Sequence, residues 1–191
     1  MDTTKTKSKT RITKNLMPNT NSSTIKVQKR DGRLEDLDIN KIHFVVEEAC
    51  EGLTGVSSSQ IEMNANIQFY DGMTTKDIQN VLVRSANDLI SLETPNYQYA
   101  AARLLSYDVR KEAHGQYEYT PLLKLILRNI RSGVYDKSIL EKYTKTEIKK
   151  FNTWIKRERD LKFTYAGLRQ ICDKYLVQDR SSGQIYETPQ D

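Results

Sequence analysis

Apolar residues alternate with polar ones near the start of the folded part, which predicts a short hairpin. In Thr24–Arg30, the segment TIKVQKR, Ile25 and Val27 follow the period of two expected of a half-buried strand. The next dipeptide, Asp31-Gly32, predicts the turn, because glycine tolerates the positive φ of tight hairpin turns. A hairpin alone is marginal in water, so helices must cover one of its faces.

Apolar residues then recur at intervals of three and four, the spacing of amphipathic helices. A cap at Asp38 or Asn40 begins the first helix, because a side-chain oxygen can accept a hydrogen bond from a free amide. Four helices are expected before residue 116, over about 40–53, 57–71, 74–91 and 94–113. With the hairpin they predict one compact unit over residues 24–116.

The pattern changes after residue 116, where three further helices and a hairpin show little core of their own. The helices are expected over 122–130, 146–160 and 163–176, and the hairpin around Ser182-Gly183. A capping box of Thr144 and Glu147 opens the second of these helices. We therefore predict an α+β chain that is mostly α: a two-stranded hairpin with a four-helix cluster, then an incomplete helical segment over 117–191.

Charge is concentrated at the amino terminus rather than in the folded part. The chain of 191 residues has a formal net charge of +5, but five cations and one carboxylate in residues 1–20 account for +4. Residues 1–23 are predicted to be a disordered basic tail, and the remainder is close to neutral. A nucleic-acid partner is therefore not expected.

Other function classes lack the residues they require. No run approaches the ~18 apolar residues of a membrane span, and there is no secretory signal. Cys50 and Cys172 are far apart and form no metal-binding pair, which suits a cytoplasmic protein. His43 and His114 are isolated, so no metal site and no catalytic residue is expected.

The charged stretch VQKRDGRLEDLDINKIH, residues 27–43, contains the candidate site. Lys29, Arg30 and Lys41 can converge beside a helix start, where free amides and a partial positive charge favour phosphate. Thr75, at another helix start, can add a hydroxyl, and Lys111 can close the site from the opposite side. Composition alone fits a solvated surface hairpin as well.

The carboxylates in this stretch would repel phosphate, so they need another role. Glu35 and Asp38 can accept hydrogen bonds from the exocyclic amine of adenine, and Val27 or Ile42 can pack on the base. The residues therefore predict a pocket that binds phosphate in one part and a base in another.

Several motifs together resemble a known family. VQKRDGRLEDLDINKIH, IQFYDGMTTKDIQ, PNYQYAAARLL and RKEAHGQYE resemble the ATP-cone of the class I ribonucleoside-diphosphate reductase large subunit. YDKSILEKYT, IKRERDLKFTYAG and KYLVQDRSSGQIYETPQ resemble the start of its catalytic domain. The resemblance covers about residues 24–190 and is closest to the enteric bacterial and large-phage branch.

The resemblance implies an allosteric role. ATP or dATP, with Mg²⁺ as a candidate accompanying ion, would bind as effector and control the assembly of an oligomer. The implied partners are the rest of the large subunit and the radical-generating small subunit. The implied nucleotide contacts are Lys29, Arg30, Glu35, Asp36, Leu37, Asp38, Ile39, Asn40, Lys41, Thr75 and Lys111.

Two departures and one alternative qualify this resemblance. Phe44 and Gln79 stand where the family often has arginine and histidine, and these changes bear on inhibition by dATP more than on ATP binding. The family's catalytic cysteines match neither Cys50 nor Cys172, so this chain alone is not expected to reduce ribonucleotides. A nucleotide-sensing repressor built on the same cone is the alternative, although residues 1–23 lack the Cys or His that its zinc ribbon needs.

Overall fold

A computed structural model describes residues 25–191 of the chain. The predicted tail, residues 1–23, and Thr24 lie outside the described residues. The fold is α+β and mostly α, as predicted. Among residues 25–191, no helix is long and apolar enough to cross a membrane.

The sheet has three short strands rather than the predicted two. β1 (Lys26–Gln28) and β2 (Leu34–Asp36) form the expected antiparallel hairpin, with Gly32 at a φ of 85° in the turn. β3 (Met73–Thr74) pairs in parallel with β1, so the strand order is β2-β1-β3. Two residues are too few to show a period, and their partner lies far away in sequence, so no local pattern indicates β3.

Four helices follow the hairpin, and three of them start at capping side chains. They are α1 (Ile39–Cys50), α2 (Ser58–Asn66), α3 (Thr75–Asn87) and α4 (Tyr97–His114). Asp38, Ser57 and Thr74 cap the first three. The predicted start of α4 at residue 94 is early, since residues 95–96 form a turn before the helix begins at Tyr97.

The rest of the chain adds four helices and a closing hairpin. The helices are α5 (Leu122–Arg131), the single-turn α6 (Ile139–Lys142), α7 (Lys145–Asn152) and α8 (Tyr165–Lys174), with a 3₁₀ helix at Arg157–Lys162. The capping box of Thr144 and Glu147 is present. The predicted hairpin forms as a Gln178–Ile185 bridge around the Ser182-Gly183 turn.

One main core joins the two parts of the chain. It contains buried residues of β1, β3 and α1–α4, together with Leu168, Cys172 and Leu176 from α8 and the residues after it. A smaller cluster of Leu122, Ile126 and Ile148 holds α5 against α7. α8 therefore packs on the side of α4 instead of standing apart.

Candidate functional site

A cavity opens between the β1–β2 hairpin, α1, α3 and α4, and we call it the central cavity. Its volume is about 140 Å³. Its apolar lining comes from Val27, Ile42, Val45, Ile78 and Leu82. Most of the sequence-predicted residues also line it: Lys29, Glu35, Asp36, Leu37, Asp38, Lys41, Thr75 and Lys111.

Two recesses adjoin the central cavity, each of about 420 Å³. The basic recess shares Lys29 and Thr75 with it and adds Gln28, Arg30, Gly32, Thr74, Lys76, Glu112 and Gln184. The outer recess shares Lys41, Val45 and Lys111 and adds Asn40, Phe44 and Tyr117. Of the predicted residues, Arg30 and Asn40 thus lie beside the central cavity, and Ile39 is exposed at the start of α1.

Consecutive cations after β1 turn toward different partners. The Nζ atom of Lys29 lies 3.2 Å from Oε2 of Glu35, and Nη2 of Arg30 lies 2.9 Å from Oδ1 of Asp108 on α4. Burial raises the pKa of Asp108, although Arg30 opposes this. Carboxylates therefore hold Lys29 at the central cavity and Arg30 in the adjoining basic recess.

Asp38 determines how α1 begins. Its Oδ1 atom accepts hydrogen bonds from the amides of Asn40 at 3.1 Å and Lys41 at 3.3 Å, and these bonds lower the pKa of Asp38. The expectation that this helix start offers free amides to phosphate is therefore wrong for those two amides. The Lys41 ammonium lies 3.4 Å from Asp38 and its side chain is 71% exposed, so it can reorient toward a ligand.

Lys111 enters the site from the last turn of α4 and is half-buried. Burial lowers its pKa, and the nearby charges of Arg30 and Lys29 act in the same direction. Thr75 lies at the first residue of α3, and its hydroxyl forms no hydrogen bond to another residue of 25–191. The site thus contains the ammonium group of Lys111, with other cations near it, and the hydroxyl group of Thr75, which could bond to a ligand.

The two departures from the family pattern occupy different surroundings. Phe44 is 64% exposed and lines the outer recess with Tyr117. Gln79 is buried, and its Nε2 atom donates to the carbonyl oxygen of Leu104 at 2.8 Å, which ties α3 to α4. Gln79 therefore has a structural hydrogen bond as well as a place in the cavity lining.

The structure adds four charged or polar residues that the sequence reasoning missed: Asp108, Glu112, Lys76 and Gln184. Asp108 and Glu112 are four residues apart and lie on one face of α4, so the spacing could have indicated them. Nothing local links Gln184 to this site, since it lies in the hairpin after α8. No group of three candidate metal ligands occurs within residues 25–191.

Comparison with known proteins identifies the hairpin-and-helix unit. A family model described as the ATP cone domain matches residues 25–112. These residues are an ATP-cone domain. The ATP-cone is an allosteric, nucleotide-binding regulatory domain, and the central cavity lies within it, as do most residues of the two recesses.

Similarity extends beyond the ATP-cone. The chain is 46% identical over 164 residues to "Ribonucleoside-diphosphate reductase 1 subunit alpha" of Escherichia coli, which covers 86% of this chain and 22% of that protein. It is 43% identical over 166 residues to the ribonucleoside-diphosphate reductase subunit alpha of Enterobacteria phage T4. That match covers 87% of this chain and 22% of the phage protein. These similarities confirm the resemblance to the amino-terminal part of the large subunit. The chain spans about a fifth of the length of these curated relatives.

Proposed function

We propose that this chain binds ATP or dATP as an allosteric effector, as the regulatory part of a ribonucleoside-diphosphate reductase large subunit. The observation that carries the proposal is the central cavity. Cations and carboxylates that the sequence predicted as nucleotide contacts line it together with apolar side chains. Its volume is below the ~300–1,000 Å³ of common ligand pockets, so a nucleotide would extend into the adjoining recesses.

The phosphate chain would be bound by Lys29, Arg30, Lys41, Thr75 and Lys111. Burial and neighbouring cations lower the pKa of Lys111, so an anion there would relieve repulsion. The lysines supply mobile point charges, and the Arg30 guanidinium supplies paired donors for phosphate oxygens. Mg²⁺ could accompany the phosphates without a dedicated protein cage, since it is bound largely by water and phosphate.

The base would lie against the apolar lining, near Val27 and Ile42. Glu35 and Asp38 have carboxylate oxygens that can accept from the exocyclic amine of adenine. The two hydrogen bonds that Asp38 accepts from the α1 amides lower the pKa of its carboxyl group, and they keep that group charged and fixed in place. The remaining assigned contacts, Asp36, Leu37, Ile39 and Asn40, come from the same segment between β2 and α1.

The catalytic role belongs to the whole reductase. We propose that ribonucleotide reduction requires the rest of the large subunit, the small subunit and an oligomeric assembly. Burial raises the pKa of Cys50 and of Cys172 to about 11, so neither thiol is easily ionised, which supports giving them no redox role. Both cysteines are free, as suits a cytoplasmic location, and that is where we place the protein.

We also propose the domain division expected from the sequence. The ATP-cone would extend over residues 24–116, and residues 117–191 would open the catalytic domain. Similarity to the reductase relatives over most of the chain supports the second assignment.

Calorimetric titration with ATP and then dATP tests the function. We expect saturable binding by the unchanged chain and at least a tenfold weaker affinity in Lys41→Ala, about 1.4 kcal/mol. Lys145→Ala, which removes an exposed lysine from the start of α7, is the control and should bind normally.

The outcomes separate the function from the residue assignment. No binding of either nucleotide would contradict the proposed function. Normal affinity in Lys41→Ala would contradict only the phosphate role of Lys41.

A further inference from the structure

We propose that the C-terminal hairpin, residues 177–186, senses a phosphate group in the basic recess through Glu112. The inference rests on the proposed function, because the bound nucleotide supplies that phosphate. The hairpin lies outside residues 25–112, the part matched as an ATP-cone, yet Gln184 lines the recess.

Glu112 lies between the recess and the hairpin. One carboxylate oxygen is 3.4 Å from Nζ of Lys76 at the start of α3, and the other accepts from the backbone amide of Ile185 at 3.0 Å. The Glu112 side chain is only 9% exposed, whereas that of Lys76 is 52% exposed. The carboxylate is thus fixed, and the lysine is the partner that can move.

The hairpin's own hydrogen bonds leave the Ile185 amide free for this contact. The amide of Asp179 donates to the carbonyl oxygen of Gln184, and the amide of Tyr186 donates to that of Val177, so both bonds lie within the hairpin. The amides of successive residues in a strand point to opposite sides, so the amide of Ile185 points out of the hairpin. The amide of Ile185 therefore faces α4. Gln184 adds a second link, since its Nε2 atom donates to the backbone oxygen of Glu112 at 3.2 Å.

A phosphate in the basic recess competes with Glu112 for Lys76. It carries more negative charge than one carboxylate and also meets Lys29 and Arg30, so the mobile Lys76 turns toward it. Glu112 then keeps only its hydrogen bond to Ile185 and becomes a stronger acceptor for that amide. Phosphate occupancy thereby tightens the hairpin against α4.

Amide hydrogen exchange at Ile185 tests this inference on the full chain by NMR. Each protein is measured without nucleotide and at ATP saturation, as established by its own titration. In the unchanged chain we expect ATP to slow exchange at Ile185 by about threefold or more. Circular dichroism confirms that each variant is folded.

Two variants interrupt the link at its two ends. Glu112→Gln keeps the size of the side chain but removes its attraction for Lys76, so ATP should no longer slow exchange at Ile185. Lys76→Gln leaves Glu112 bound to the hairpin alone, so exchange should already be slow without ATP. Glu118→Gln is the matched control, because Glu118 is exposed and forms no ion pair within residues 25–191; it should behave like the unchanged chain.

Each outcome has a distinct meaning. If the unchanged chain binds no ATP, both the proposed function and this inference fail. If ATP binds but exchange at Ile185 is unchanged or faster, only the inference fails. A normal response in Glu112→Gln would also overturn it.

Discussion

The ammonium group of Lys111 lies among other cations at the edge of the central cavity. Burial lowers its pKa, and Arg30, Lys29 and Arg110 add to this effect against the opposing charge of Asp108. The Arg110 guanidinium is directed elsewhere, 4.1 Å from the ring centre of Tyr117. Phosphate beside Lys111 would raise the pKa of this lysine again.

ATP binding should therefore take up protons at alkaline pH. As the pH rises through the lowered pKa, free protein loses the Lys111 proton, whereas phosphate-bound protein retains it. Affinity for ATP should fall as the pH rises through that range. Well below it, Lys111 stays protonated in both states, so affinity should not depend on pH through this group. Calorimetry in two buffers of different ionisation enthalpy measures the uptake.

Lys111→Met is the informative variant for this prediction. It should bind ATP more weakly and lose the proton uptake. The control variant Lys145→Met should keep the normal affinity and the normal proton uptake. Undiminished uptake in Lys111→Met would assign the proton to another group.

Which residues line the central cavity was more predictable than how their charged groups pair. Lys29 and Lys41 could be predicted because they flank a hairpin and a helix start that local patterns indicate. The pairing of Arg30 with Asp108 could not, because 78 residues separate them and only the packing of the sheet on α4 brings them together. The occupied amides of Asn40 and Lys41 depend on the rotamer of Asp38, which composition does not reveal.

At the scale of elements, α1 depends on its first residues for both stability and position. The Asp38 cap satisfies two amides that would otherwise lack partners. Lys41 and Ile42 lie in the first turn of the helix that begins there, and they line the central cavity. The cap therefore sets where these side chains enter the site.

Asp38→Ala should lower the free energy of unfolding by about 1 kcal/mol, the usual cost of losing a helix cap. Asp38→Asn should leave stability nearly unchanged, because asparagine caps as well as aspartate does. Urea unfolding at neutral pH measures both. An equal loss in the two variants would show that the charge of Asp38, rather than its capping bond, stabilises α1.

Helix ends were predicted less well than helix starts, and α7 shows why. Its capping box is local and was predicted, but the helix ends at Asn152 rather than continuing to Asp160. The Asn152 side chain accepts from the amide of Leu122, and the amide of Lys156 is bonded to Gln190. Both partners are about 30 residues away in sequence, so a local pattern cannot indicate them.

At the scale of the whole molecule, α8 completes the core of the ATP-cone. Leu168 is 1% exposed and Cys172 is 3% exposed, and both join the cluster formed by α1–α4. Helix periodicity predicted α8 itself. It could not predict the surface against which α8 packs, because an apolar stripe does not specify its partner.

Leu168→Ala should therefore destabilise the whole described structure by about 2–5 kcal/mol, the range for a buried leucine truncated to alanine. Leu92→Ala makes the same substitution at a residue that is 96% exposed and should change stability by less than about 0.5 kcal/mol. Circular dichroism during urea unfolding compares them. A small effect of Leu168→Ala would show that α8 is dispensable to the core.

The packing of α8 on α4 also defines what could be transplanted between proteins. A chimera joined at Glu112 would carry every residue matched as an ATP-cone. It would also uncover the side of α4 that Leu168, Cys172 and Leu176 protect from water, and it would omit the Ile185 amide that Glu112 binds. A transplant that keeps these contacts would therefore have to continue past residue 112 and include the hairpin at residues 177–186.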